Sequence, residues 1–357
     1  MSAISAPTRT ELIEHRQGND GPWSSFPIRI GTPAQDVNVF ISTSGHQTLA
    51  VISEGCIASD PSNCESLRGG FFEPNASSTW QINTANLSSN VYPLLIDEDL
   101  GYTPRGELGF DDITLGFAGA GGPTLDNQTV GGFEDKDFYL GYFGISPRAS
   151  NFTNLDSPIP SYMQNLKNKS LIPSLSWSYT AGNQYRLNQV LGSLVLGGYD
   201  TSKFIPNDVT FSFDSQDDRD LTVQLEAITM SDNVTTGTAL LPSSIPAFVD
   251  SSLPYIWLPV EVCALFEKAF GLVWDNDTEL YLLNSTHQAT LKSQNANITF
   301  TLGNLTAGVN VNITLPYSAF DLTVSSPIVN TSTPYFPLKR ATNSTQYTLG
   351  RTFFQEA

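Results

Sequence analysis

The sequence predicts an all-β protein with two homologous lobes and a few short helices. Gly, Pro, Asn and Ser interrupt apolar runs about every eight to twelve residues, which is typical of short strands joined by turns. The length of 357 residues exceeds one ordinary hydrophobic core and suits two domains. A repeat points the same way: segments 39–51 (VFISTSGHQTLAV) and 247–259 (AFVDSSLPYIWLP) each run from an apolar strand through a small polar turn into another apolar strand.

The spacing of this repeat supports two lobes. Two bulky residues and a glycine follow each copy, YFG ending at Gly144 and TLG ending at Gly350. The separation is 102 residues from Ser42 to Gly144 and 100 residues from Asp250 to Gly350. So constant a spacing indicates that the two halves share one architecture.

Two helices are expected among the strands. The first covers residues 160–169 (PSYMQNLKNK) and is closed by Pro173, and the second lies between Pro259 and Gly271. Fresh strand patterns begin after residue 182. We therefore assign 1–175 to an N-terminal β lobe and 176–357 to a C-terminal β lobe.

The charge balance excludes several classes of partner. There are 17 basic and 35 acidic residues, a net charge of -18, so nucleic acid and anionic membrane surfaces are repelled. No run of eighteen apolar residues predicts a membrane span. No glycine-rich phosphate loop and no Cys/His/Asp cluster with metal-ligand spacing occurs, so neither a cofactor nor a metal is expected. We expect a monomer.

Glycosylation acceptors indicate passage through the secretory pathway to the cell surface or the medium. Chance predicts about five Asn-X-Ser/Thr sequons at this composition, and the chain has thirteen. These are Asn75, Asn86, Asn127, Asn151, Asn168, Asn233, Asn276, Asn284, Asn297, Asn304, Asn312, Asn330 and Asn343. The first ten residues lack a signal-peptide pattern, so we expect a trimmed or mature form.

The three cysteines fit an oxidising compartment. Cys56 and Cys64 bracket a polar loop whose Asp-Pro turn brings them within bridging distance, so a disulfide is predicted. Cys263 lies in the second predicted helix without a partner and is expected to be a buried, inert thiol.

Several strings, in this order and spacing, resemble the pepsin-like aspartic proteases. They are IRIGTPAQDVNVF, the two turn segments, FFEPNASSTW, GELGFDDITLG, GYFGI, GSLVLGGYD and YTLGRTFF. The chain is similar to a fungal, secreted or membrane-tethered member over nearly its whole length. The resemblance implies two β lobes around a deep central cleft, with one aspartate from each lobe at the cleft floor and a further strand beyond Ala357.

The first turn departs from the family at its chemically essential position. In the family, two carboxylates about 3 Å apart share a proton and activate the water that attacks a peptide carbonyl. Asp250 keeps one of these positions, whereas Ser42 replaces the other aspartate. A serine hydroxyl holds a water but does not share a proton as a carboxylate does.

Further departures surround this position in the expected cleft. Thr43 and Ser251 match the family's small hydroxyl residue, but Ser44 and Ser252 stand where the family has glycine.

The predicted flap, a hairpin that covers substrate in the family, also differs. Alignment of GYTPRGELGFDDITLG places Glu98 at the flap tip in place of a tyrosine, with Tyr102 nearby. The alternative is a solvated acidic loop without a role.

Three functions remain open. The first is a catalytically defective protease homologue (a pseudoprotease) that binds a peptide or other ligand without efficient hydrolysis. The second is a repurposed enzyme that acts on a small apolar metabolite with Asp250 as lone acid or base. The third is an atypical aspartic endopeptidase in which Ser42 positions water. A Ser42/His46/Asp250 triad is disfavoured, because the strand carries His46 away from the expected cleft floor.

Overall fold

A computed structural model describes residues 8–9, 16–84, 91–94, 96–151, 158–186, 190–216, 218–233, 237–303 and 309–357. Strands account for 38% and helices for 16%, which confirms the all-β class with few short helices. The chain forms two compact β-rich units. The first comprises Met1–Gly18, Trp23–Tyr179 and Leu191–Phe204, and the second comprises Asn19–Pro22, Thr180–Val190 and Ile205–Ala357. The lobe boundary between residues 175 and 176 stays a prediction.

Thirteen described strands precede residue 200. They are β1 (Thr8–Arg9), β2 (Arg16–Gln17), β3 (Trp23–Ser24), β4 (Phe26–Ile30), β5 (Gln35–Ser42), β6 (Thr48–Val51), β7 (Gln81–Ile82), β8 (Val91–Pro93), β9 (Arg105–Leu115), β10 (Thr124–Phe133), β11 (Gly141–Gly144), β12 (Trp177–Asn183) and β13 (Val190–Leu196). The main sheet of the first unit has the order β10-β6-β11-β5-β4-β9-β7, with β8 paired to β9. Smaller sheets are β2-β3 and β1-β13-β12.

The second unit contains the later strands. They are β14 (Thr222–Ser231), β15 (Thr238–Ala239), β16 (Ile245–Val249), β17 (Ile256–Pro259), β18 (Tyr281–Leu282), β19 (Asn297–Gly303), β20 (Asn310–Pro316), β21 (Leu322–Val324), β22 (Thr333–Phe336), β23 (Leu338–Ala341) and β24 (Thr348–Leu349). Its main sheet has the order β20-β19-β14-β16-β24-β17-β23, with β15 on β14, and β18-β22-β21 form a small sheet.

The internal repeat appears as the same strand pairing in each unit. β5 runs parallel to β11, and β16 runs parallel to β24. Each returning strand also pairs antiparallel with the strand after the turn, β6 in the first unit and β17 in the second. The motif that follows each turn by about a hundred residues is therefore the strand that packs against that turn.

Helices begin and end at residues with recognisable signals. α1 spans Cys64–Leu67, α2 spans Tyr162–Asn168, α3 spans Val260–Phe270 and α4 spans Ser285–Gln294. Ser161 and Gln164 form a capping box at the start of α2, and Gly271, at φ +65°, ends α3. The two predicted helices are confirmed, and α4 is an addition to the prediction.

Aromatic side chains fill the core of the second unit. Phe320 stacks on Phe336 with ring centroids 4.9 Å apart, and Phe266 and Phe270 lie within about 6 Å of the same ring. All four side chains are almost fully buried. This core holds the strands that carry the second turn.

In the first unit, the buried side chain of Arg68 links two loops. Its guanidinium is 1% exposed and donates hydrogen bonds to five backbone carbonyls. These belong to Gly55, Glu134, Asp135, Phe138 and Tyr139. One side chain thus joins the loop after β6 to the loop between β10 and β11.

Candidate functional site

The first turn begins where β5 ends, at Ser42. Gly144 of β11 lies opposite Ser42, and the Ile145 amide donates to the Ser42 carbonyl at 3.0 Å. The Ser42 side chain is 2% exposed; its Oγ accepts from the Gly45 amide at 2.8 Å and lies 3.3 Å from Ser44 Oγ. The hydroxyl that replaces the carboxylate is therefore held inside its own turn.

Gly45 supplies the close approach that this turn requires. A Cβ at Gly45 would lie 2.7 Å from Ser42 Oγ and 3.3 Å from the Gly144 Cα. Thr43 is buried at 1% exposure, while Ser44, in the place of the family's glycine, is only partly buried. Gly45, one position after Ser44, thus gives this turn the close backbone approach that the family's glycine provides.

The second turn carries the carboxylate. Asp250 follows β16, is 2% exposed, and its amide donates to the Leu349 carbonyl at 3.2 Å. Asp250 Oδ1 accepts from the Ser252 amide at 3.1 Å and from Ser252 Oγ at 2.9 Å. The serine in the place of the family's second glycine therefore gives the carboxylate a donor that glycine lacks.

Arg351 fixes this turn from the following segment. Its side chain is 1% exposed, and its Nε and Nη2 donate to the carbonyls of Ser251 and Ser252. Its own amide donates to the Leu253 carbonyl at 2.6 Å. The sequence analysis missed this residue, although a signal exists: a charged residue follows TLG where Ile145 follows YFG in the other copy.

The two turns differ in chemical capacity. Segment 39–51 contains no aspartate or glutamate, and its one ionisable side chain is His46. His46 Nδ1 lies 3.2 Å from the Arg148 carbonyl oxygen, which gives the imidazole a hydrogen bond to the backbone. The first turn offers hydroxyl groups, whereas the second offers a carboxylate held by a hydroxyl and an amide.

A buried lysine lies beside the strand that follows Asp250. Lys339 of β23 is 6% exposed and pairs with Trp257 of β17. Its Nζ lies 5.1 Å from the Tyr255 ring centroid, 5.6 Å from the Trp257 ring centroid and 3.8 Å from Glu279 Oε2. Burial lowers the pKa of Lys339 to about 8, because the charged amine loses its hydration.

The predicted flap is a hairpin of β8 and β9. Leu94 N donates to the Pro104 carbonyl at 3.0 Å and closes the connecting loop. Glu98 lies exposed in this loop, whereas the Tyr102 ring packs 5.3 Å from the Phe138 ring. The structure therefore directs Tyr102 into the aromatic packing of the first unit, and the role of Glu98 stays a prediction.

The predicted disulfide and the predicted burial of the third cysteine are confirmed. Cys56 and Cys64 form a disulfide with Cα atoms 6.0 Å apart, and Cys263 is a buried free thiol. Burial raises the pKa of Cys263 to about 12, which keeps the thiol protonated. Among the described residues, one group meets metal-ligand spacing, Cys56, Asp60 and Cys64, but its sulfurs are consumed by the disulfide.

The glycosylation acceptors have accessible side chains. All eleven sequon asparagines in the described residues are exposed, and Asn86 and Asn304 lie outside those residues. A packed β protein buries many residues, so uniform exposure is what attached sugars require.

A strand-turn-strand unit that recurs in two β-rich units, with one buried aspartate in the second turn, defines the aspartic protease fold class. The profile of the family described as eukaryotic aspartyl protease matches residues 25–357, and the chain belongs to that family. No curated protein matches the chain as a relative. Over the described residues, the helices are all too short or too polar to cross a membrane.

Proposed function

We propose that this chain is a catalytically defective aspartic protease homologue that binds a polypeptide or other ligand without efficient peptide hydrolysis. The observation that carries the proposal is Ser42. Family chemistry needs a carboxylate from each lobe, because a close pair of carboxylates shares one proton and so supplies both an acid and a base. The first turn provides a buried hydroxyl that already accepts a hydrogen bond from Gly45.

The second turn supports the same proposal. Ser252 donates to Asp250 Oδ1 through both its amide and its hydroxyl, so this oxygen is engaged within its own turn. Hydrogen bonds of this kind hold a carboxylate in place whether or not it reacts. Asp250 is thus explained as a residue that fixes the turn together with Ser251 and Arg351.

The decisive experiment compares four secreted proteins: the wild type, Asp250→Ala, Ser42→Asp, and Asp277→Ala as a control at an exposed aspartate of the same unit. Alanine is used because Asp250→Asn would create an Asn-Ser-Ser sequon. Each protein is incubated with an unfolded, reduced protein substrate between about pH 3 and pH 5, where a carboxylate dyad is active. We expect no cleavage by the wild type. Acid-dependent cleavage by the wild type and by Asp277→Ala, lost in Asp250→Ala, would contradict the proposal and identify an atypical endopeptidase.

Ser42→Asp tests how far the divergence extends. Acid-dependent cleavage gained by this variant alone would show that the missing carboxylate is the principal defect. We expect only partial recovery, because Ser44 and Ser252 also depart from the family. If the variant folds but remains inactive, residues around position 42 also contribute to the loss of activity.

Binding is tested separately from cleavage. We expect Asp250→Ala to keep its affinity for unfolded polypeptide within about threefold of the wild type, which corresponds to less than 1 kcal/mol. Complete loss of binding, or a rise in melting temperature with small apolar compounds that Asp250→Ala abolishes, would favour the repurposed enzyme.

We further propose a secreted or cell-surface glycoprotein. The disulfide and the exposed sequons support this localisation. Peptide mass spectrometry of the protein from its natural source tests it, because a chain that never entered the secretory pathway carries no N-linked sugar.

A further inference from the structure

One edge of the second unit's main sheet is an uncharged hairpin. β20 is the terminal strand of that sheet and, among the described strands, pairs with β19 alone. Residues 297–320 contain no Asp, Glu, Lys, Arg or His. At the chain's 15% charged content a stretch of this length would carry about three or four charges, so this sheet edge lacks the charges that commonly guard such strands.

The hairpin presents a regular polar ladder on its outer face. Thr299 lies opposite Thr314, with their hydroxyl oxygens 2.8 Å apart. Thr301 lies opposite Asn312 and donates from Oγ1 to Asn312 Oδ1 at 2.8 Å. The alternate residues face the core, where Phe300 is fully buried.

Such an edge is a hazard for association between molecules. A terminal strand exposes unpaired amide and carbonyl groups, and proteins guard it with charges, prolines, bulges, very short strands or covering elements. β20 has seven residues, carries no charge, has its one proline at the last position, Pro316, and pairs with β19 in one unbroken register. Val311, Ile313 and Thr314 favour strand structure, and the absence of charge removes repulsion between copies.

The hairpin does have one kind of protective group available. Three of the thirteen sequons fall within 24 residues, at Asn297, Asn304 and Asn312. Asn297 and Asn312 are exposed, and Asn304 lies outside the described residues. Asn312 is on the terminal strand itself, where its Oδ1 is engaged by Thr301 and its Nδ2 is the atom to which an N-glycan attaches.

We propose that Asn312 carries an N-linked oligosaccharide that shields the β20 edge and keeps the protein monomeric. In the attachment step, Asn312 Nδ2 forms a bond to the anomeric carbon of a lipid-linked oligosaccharide diphosphate. The bond from that carbon to the diphosphate breaks, and the amide nitrogen loses one proton. The proposal rests on the secretory passage proposed above and is independent of the loss of proteolysis.

Site occupancy is the first test. The full chain is secreted from a eukaryotic host, and chymotryptic peptides are deglycosylated in heavy-oxygen water, which marks each occupied asparagine by mass. We expect Asn312 to be occupied. Sugar at other sequons with Asn312 bare would overturn this proposal alone, whereas no sugar anywhere would overturn the secretory proposal as well.

Oligomeric state is the second test, measured by light scattering after size exclusion. We expect Asn312→Gln to form concentration-dependent oligomers, Asn312→Lys to remain a monomer because a charge guards the edge, and the control Asn276→Gln to remain a monomer. Both Asn312 variants lose the sequon. Gln keeps an amide oxygen that can accept from Thr301, whereas Lys has no acceptor, so loss of that hydrogen bond alone would disturb the Lys variant more and would not give the expected order.

Trimming the wild-type glycans with an endoglycosidase under native conditions removes the need for any substitution. We expect the trimmed protein to associate while its circular dichroism stays unchanged. Monomeric trimmed protein, together with monomeric Asn312→Gln at the same concentration, would overturn the proposal.

Discussion

Replacement of Lys339 by methionine should remove one pH-dependent part of the protein's stability. The Lys339 side chain is buried, and its pKa falls from 10.5 to about 8 in the folded chain. Between these two values the unfolded chain binds a proton that the folded chain has lost. The free energy of unfolding therefore rises with pH across this window and is lowest, in this respect, below pH 8.

The structure gives the size of the effect. A shift of this extent corresponds to about 3 kcal/mol, of which about 2 kcal/mol is recovered between pH 7 and pH 9.5. Contacts of Lys339 Nζ with the rings of Tyr255 and Trp257 offset the cost by about 1 to 2 kcal/mol while the amine is charged. Glu279 adds little, because its side chain is 68% exposed and lies 3.8 Å away.

The assay is urea unfolding of the wild type, Lys339→Met and the exposed-lysine control Lys268→Met at pH 7 and pH 9.5. We expect Lys339→Met to be as stable as the wild type or about 1 kcal/mol more stable at pH 7. We also expect the wild type and Lys268→Met to gain about 2 kcal/mol more than Lys339→Met on going to pH 9.5. The same pH dependence in all three proteins would refute the assignment of a desolvated amine.

Three further predictions concern stability. Arg68→Met should lower the free energy of unfolding of the first unit by about 4 kcal/mol or more, measured by urea unfolding, because five buried or part-buried carbonyls lose a charged donor; a loss under 1 kcal/mol would contradict this. Removal of the disulfide in Cys56→Ser/Cys64→Ser, which spans a sequence separation of 8, should cost about 2.5 kcal/mol by loop entropy, and a melting temperature equal to that of the wild type would exclude it. Gly350→Ala should abolish secretion of folded protein, because its Cβ would lie 2.1 Å from the Tyr255 carbonyl oxygen; a normal yield would show that the turn can move.

The sequence predicted those helices whose first and last turns carry residues typical of helix ends. Helix α3 was predicted because Pro259 and Gly271 mark its boundaries. Helix α4 was not predicted, because Leu291 is its one buried residue and its sequence shows little periodicity. Its Asn284 cap was available as a signal, but it was interpreted only as a sequon.

The sequence identified the central residue of each turn but not the hydrogen bonds that hold the turns. The repeat identified Ser42 and Asp250 at equivalent positions, and the pairing of β5 with β11 and of β16 with β24 confirms their equivalence. The sequence shows a charged residue after TLG, Arg351, but it does not show which carbonyls that side chain binds, nor the hydrogen bonds from Ser252 to Asp250. Carbonyl acceptors are the same in every residue, so a pattern cannot reveal which ones a buried arginine binds.

The distance along the chain between each turn and its supporting strand has a consequence for biosynthesis. Asp250 is made about a hundred residues before Arg351, whose side chain holds the carbonyls of its turn. At about 5 to 20 residues per second, that interval lasts about 5 to 20 s. A similar interval separates the synthesis of Ser42 from that of Ile145, whose amide donates to the Ser42 carbonyl. During synthesis, therefore, each turn remains without its partner strand while most of its own unit is being made, and both depend on contacts of high sequence separation, which form slowly.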